Sequence, residues 1–145
     1  MAWRVANSLV HLREQVNAKW PNRSKASDGT IGNAEHQTRD SDHNPWVRDG
    51  KQGVVTALDI TNDPANGVVS EDIAEAIRLS RDPRVKYIIS NKKIAASYNV
   101  HGEKAWEWRP YHGANPHDHH CHISVVSEKL KYDSVVDWKF QKGDK

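Results

Sequence analysis

The chain has a single cysteine, Cys121, in 145 residues, which excludes an internal disulfide as a source of stability. No apolar run approaches the roughly 18 residues of a membrane span. Residues 1–20 are interrupted by Arg4, His11, Arg13 and Glu14, so they lack the uninterrupted apolar stretch of a signal peptide, and synthesis in the cytoplasm is the expectation. There is no internal repeat and no low-complexity tract. Neither sign of charge is in large excess. The 21 Lys and Arg against 19 Asp and Glu leave a formal net charge of +2, a mild basicity that suits cell wall or nucleic acid and argues strongly for neither. A chain that is 28% charged and 37% hydrophobic reads as a folded globular protein, and its length is that of one domain, residues 1–145.

What is there alternates between patterned and unpatterned stretches. Val5, Leu9, Leu12 and Val16 recur at helical spacing, predicting an amphipathic helix over 4–19 that Pro21 ends. From Asn22 to Arg48 the chain is polar with little periodicity, and loops of that length in small domains usually carry function. Gly53 to Ile60 is β-branched and bounded by Gly53 and Asn62-Asp63-Pro64, which predicts one core strand. A helix follows, with Ser70 as N-cap, Glu71 and Asp72 in its first turn and Asp82-Pro83 as its stop. Val85 to Ile89 and Cys121 to Val126 read as further strands. Beyond Leu130 the chain is either a short terminal element or a solvated end.

The densest chemistry lies in Asn115-Pro116-His117-Asp118-His119-His120-Cys121-His122-Ile123-Ser124, with four imidazoles and one carboxylate in six positions. Two other segments offer matching groups, Ser41-Asp42-His43 and Ala57-Leu58-Asp59-Ile60. Imidazole nitrogen and carboxylate oxygen are zinc ligands, and three protein ligands with one position open to water is the pattern of a catalytic zinc site. A carboxylate inside the apolar run around Asp59 is costly unless paired, hydrogen-bonded or metal-bound. The plainer alternative is that Asp59 caps the turn Thr61–Pro64. His120 and His122 alternate along a strand and share a face, with Ile123 and Val125 on the other. Cys121 then points away from them as a buried hydrophobe. Trp106, Trp108 and Tyr111, around Arg109-Pro110, either line a substrate groove or belong to the core.

Ser41-x-His43, then Gly53-x-x-x-Ala57-x-Asp59, then His120-x-His122 resemble the zinc D,D-peptidase family of peptidoglycan hydrolases. That family includes D-Ala-D-Ala carboxypeptidases and phage endolysins and shares its fold with the Hedgehog signalling domain. The resemblance covers about Arg23 to Val126. The family's usual first motif is a compact S-x-H-x-x-G-x-A-x-D. Here His43 and Asp59 stand sixteen positions apart, so Asn44 to Gln52 reads as an inserted, hairpin-like loop. The resemblance implies an α+β domain with a central, mainly antiparallel sheet flanked by helices. It implies a Zn²⁺ held by His43, Asp59 and His122, with His36 in Glu35-His36-Gln37-Thr38 as a competing first ligand.

The family's acidic base stands three positions before the last histidine ligand, where this chain has His119; Asp118 and His120 are therefore the candidate bases, with His117 behind them. An arginine before the first motif binds the substrate carboxylate in the family. Arg23 and Arg39 match by position, and a guanidinium forks onto a carboxylate in a way lysine cannot. Trp108 is added as a candidate substrate contact. The implied activity is hydrolysis of peptidoglycan stem peptides by metal-activated water, by a monomer with no nucleic-acid partner and no membrane anchor, acting on the wall after phage-type release. Two other classes compete. Asp42-His43-x-Pro45 with Cys121-His122 resembles the ends of an HNH nuclease motif, although the compact spacing and C-x-x-C knuckles of such enzymes are missing. A zinc-stabilised wall-binding module without catalysis is the other.

Overall fold

The computed structural model describes residues 3–29, 47–100, 102–113 and 119–141. These residues form an α+β fold in which two sheets and three α-helices are described. The first sheet has three strands, β1 (Trp3–Val5), β2 (Val47–Asp49) and β3 (Gln52–Val55), in the order β1-β3-β2. β1 runs parallel to β3 and β2 antiparallel to it. The second sheet has five strands, β4 (Ala57–Thr61), β5 (Val85–Ser90), β6 (Lys93–Ala96), β7 (Arg109–Pro110) and β8 (His120–Val125). Its order is β4-β8-β5-β6-β7, and every pairing is antiparallel. Among the described residues no helix is long and apolar enough to cross a membrane.

The first helix, α1 (Asn7–Lys19), starts three residues later than the spacing predicts. Val5 pairs with Val55 in β1, and the Ala6 N–H donates to the Val55 carbonyl. Trp-Arg-Val is better suited to a strand than to a first helical turn, and a neighbouring strand was available to pair with it. Leu9, Leu12 and Val16 remain the buried face. No local side chain caps this helix; the Asp133 carboxylate accepts the Asn7 N–H at 3.0 Å from the far end of the chain. Arg4 holds that carboxylate in place and also reaches Asp49.

The segment predicted as one strand from Gly53 to Ile60 is two. Thr56 separates β3 from β4, and its carbonyl accepts the Val125 N–H at 2.9 Å, so the chain crosses from one sheet to the other without a loop. The hairpin-like loop expected over Asn44 to Gln52 is described from Val47 onward, where β2 turns at Gly50 (φ +62°) into β3. The second helix, α2 (Ser70–Ser80), has Val69 as its N-cap, not Ser70; the Asn62 side chain accepts the Ser70 N–H. Its Ile73, Ala74 and Ile77 pack with Leu58, Ile60, Ile88, Cys121 and Ile123 in one core. The end of the chain forms α3 (Lys129–Tyr132) and then an extended tail that buries Trp138 and Phe140.

Candidate functional site

Antiparallel register builds the site. Asp59 on β4 faces His122 on β8, and Thr61 faces His120. Paired residues project to the same side of a sheet and successive residues to opposite sides. Asp59, Thr61, His120, His122 and Ser124 therefore share one face. Leu58, Ile60, Cys121 and Ile123 share the other, in the core with α1 and α2.

On the polar face, Asp59 Oδ1 lies 3.1 Å from His122 Nδ1 and Asp59 Oδ2 lies 3.4 Å from His120 Nε2. Asp59 is 9% exposed and His122 3%, an environment in which a carboxylate needs partners. Two further groups fix the His122 ring. Its Nε2 is 2.7 Å from Ser124 Oγ, and Tyr87 stacks on it with ring centroids 5.4 Å apart and planes 9° off parallel. The Asp59 main chain is tied as well, its N–H donating to the Gly29 carbonyl at 2.9 Å.

The turn after β4 is capped by other residues than Asp59. Asn62 caps α2, while Asp63 accepts N–H bonds from Ser24 and the Asn66 side chain, which hold its carboxyl below the usual range. Asp59 is aimed at the histidines instead.

Asp59, His122 and Ser124 are strung together like a hydrolytic Asp-His-Ser triad. Ser124 is wholly buried within a central strand, so no substrate carbonyl can reach its hydroxyl. Its effect is to orient the ring, leaving Nδ1 turned toward Asp59.

That orientation bears on whether zinc fits. Two ligand atoms each about 2.0–2.1 Å from a tetrahedral ion lie roughly 3.3 Å apart, close to the 3.1 Å between Asp59 Oδ1 and His122 Nδ1. A second partner on the far nitrogen of a ligating histidine, here Ser124, is the usual way such a ring is held. Among the described residues no three His, Cys, Asp or Glu side chains enclose a metal by themselves. The expected third ligand, His43, lies outside the described residues, as do its competitor His36, Arg39, Asp118 and His117.

The other expected site residues that are described, Arg23 and Trp108, are bound to other partners. Arg23 is buried, its guanidinium forked onto the Asp28 carboxylate at 3.0 and 2.7 Å and its Nε bonded to Asn17. Asp28 in turn accepts from the Thr61 N–H and hydroxyl. Arg23 therefore braces the strand that carries Asp59, and its fork is occupied by Asp28 in place of a substrate carboxylate. Trp108 is half-buried against the core beside α2, where its indole N–H donates to Glu75 at 2.7 Å. Cys121 is fully buried in the core, and burial pushes its thiol far above the ordinary value.

Sequence reasoning missed Ser124, although strand alternation from His122 would have found it. Tyr87 and the Arg23–Asp28–Thr61 brace carry no local signal, because each depends on contacts between distant segments. Comparison with protein-family models, curated proteins and solved structures finds no match.

Proposed function

We propose that the protein is a zinc-dependent peptidase that hydrolyses the peptide stems of bacterial peptidoglycan, with a Hedgehog/D,D-peptidase-like fold. The observation that carries the reading is the in-register pair Asp59–His122, with His120 on the same face and within 3.4 Å of the same carboxylate. The ligand set proposed is His43, Asp59 and His122. Zinc bound there supplies Lewis-acid polarisation and a water acidified to a pKa of roughly 7.

The protein's own groups do the rest. Ser124 and Tyr87 hold the His122 ring, Gly29 and the Arg23–Asp28–Thr61 brace hold the Asp59 strand, and burial keeps bulk water from competing for both ligands. His120, half-buried and one pleat along from His122, takes or returns a proton at Nε2, sharing candidacy for the base with Asp118. The proposed setting is an endolysin-type monomer made in the cytoplasm that meets the wall after release.

Mass spectrometry of muropeptides tests this directly. The zinc-loaded protein should release defined stem fragments, lose that activity in chelator and regain it with added zinc. His120→Ala should keep its zinc and, if His120 is the base, cut turnover at least 100-fold. Intact muropeptides from several wall types after exposure to the zinc-loaded protein would remove the peptidase reading.

A further inference from the structure

The register that joins Asp59 to His122 continues across the five-stranded sheet. His122 pairs with Ile89, Ile89 with Ile94 and Ile94 with Arg109. Asp59, His122, Ile89, Ile94 and Arg109 therefore project from one face in a single row. Between the histidine and the arginine that row is apolar, with Ile89 buried and Ile94 half-buried. Tyr87, which pairs with Ser124 on one side and Ala96 on the other, adds the neighbouring row of the same face.

Arg109 is firmly placed although β7 is an edge strand. The Lys93–Pro110 and Ile94–Arg109 pairings lay β7 against β6, and the Tyr111 N–H donates to the Lys92 carbonyl at 2.8 Å. The arginine is half-buried, and its guanidinium is uncommitted. Arg4, Arg23, Arg78 and Arg84 are each tied to a carboxylate. Among the described residues Arg109 makes no side-chain hydrogen bond or ion pair. Glu75 on α2 lies behind the sheet, where Arg78 and the Trp108 indole engage it.

Distance decides what this cation can reach. Three strand spacings of about 4.8 Å put the Arg109 backbone roughly 14 Å from that of His122. That is the span of about four residues of extended peptide. A carboxylate on the residue next to the cut bond falls short of it.

We propose that Arg109 grips a free carboxylate of the stem peptide about four residues from the cut bond, with the intervening residues lying over Ile89 and Ile94. The proposal deepens the peptidase reading and rests on it for the identity of the peptide. It assigns Arg109 the substrate-binding role expected of Arg23, whose fork is filled by Asp28. A guanidinium takes both carboxylate oxygens in one plane, and lysine does not. The shared chemistry is a carboxylate, from either the chain terminus or the α-carboxyl of a γ-linked D-Glu.

The test uses the zinc-loaded, full-length protein and a soluble stem, L-Ala-γ-D-Glu-L-Lys-D-Ala-D-Ala, which carries those two carboxylates. Two controls are its C-terminal amide and the form whose D-Glu α-carboxyl is amidated. Initial NMR spectra read the Arg109 Nε–H, and mass spectrometry of the same samples reads cleavage. The free acid should shift the Arg109 signal saturably, and one of the two amides should bind at least tenfold more weakly, which identifies the carboxylate. Arg109→Gln, at matched circular dichroism, should lose that preference, bringing it from tenfold or more down to about onefold. Arg109→Lys should restore only part of it. Absence of a shift at Arg109, equal binding of the acid and both amides, or an undiminished preference in Arg109→Gln each overturns the proposal. Carboxylate-dependent binding without cleavage contradicts only the peptidase reading, and cleavage with the preference intact in Arg109→Gln contradicts only the role of Arg109.

Discussion

Asp59 is a buried carboxylate and Asp28 a half-buried one, and their different partners separate their roles. Asp59 faces two histidines, whereas Asp28 is locked to Arg23 and Thr61. The first was legible in the sequence, because an acid inside Val-Val-Thr-Ala-Leu-Asp-Ile has to be explained and because alternation puts His120 and His122 on one side. The second was not. Arg23 lies in a polar stretch where nothing distinguishes an arginine that binds substrate from one that braces the fold.

The brace has a measurable consequence. Burial alone would push the Asp28 carboxyl up, but the Arg23 fork and the Thr61 hydroxyl and amide outweigh it and hold it below the usual range. A group with a depressed folded pKa stabilises the fold above its unfolded value, about 3.9, and loses that contribution as pH falls through the folded value. Arg23→Ala leaves a half-buried carboxylate without its cation. It should cost on the order of 3 kcal/mol at pH 7 in urea denaturation, and the gap from the parent should narrow as pH falls below about 4. An equal gap at pH 7 and in acid would show that Arg23 acts through packing alone.

Elements were legible where periodicity was strong, as in the buried face of α1, the length of α2 and the strands β5 and β8. The errors came where tertiary pairing overrode local pattern. Val5 has the spacing of a helix position but pairs with Val55, and an unbroken apolar run is divided at Thr56 between two sheets. β6 and β7 are short, the latter at the sheet edge, with Lys93 and Arg109-Pro110 giving no apolar alternation to read.

The tail after Tyr132 has only scattered apolar residues, yet it closes the core. Arg84 donates to the carbonyls of Ser134 and Val136, and its guanidinium lies 3.8 Å from the Trp138 ring centroid. Trp138 donates its indole N–H to the Ser8 carbonyl, and Phe140 meets Trp20 edge to face. Trp138→Ala should therefore destabilise the protein by about 3–5 kcal/mol in a denaturant titration. A loss under about 1 kcal/mol would mean that the tail is dispensable to the fold.

At the scale of the molecule, the two sheets divide the work. The three-stranded sheet joins residues 3–5 to the hairpin after residue 47, while the five-stranded sheet buries one face under helices and presents Asp59, His122 and, farther along the same row, Arg109 on the other. This arrangement assembles groups 63 positions apart in the chain, Asp59 and His122, whose direct pairing across β4 and β8 no local pattern could specify. The central claim is that this pair holds zinc. Elemental analysis of the purified protein after zinc loading and gel filtration measures it most directly, comparing the parent with Asp59→Asn at matched circular dichroism. The account predicts one zinc per parent chain and at least a tenfold loss of affinity in the folded variant. A parent chain that retains no zinc, or a variant that holds it as tightly as the parent, would contradict the account.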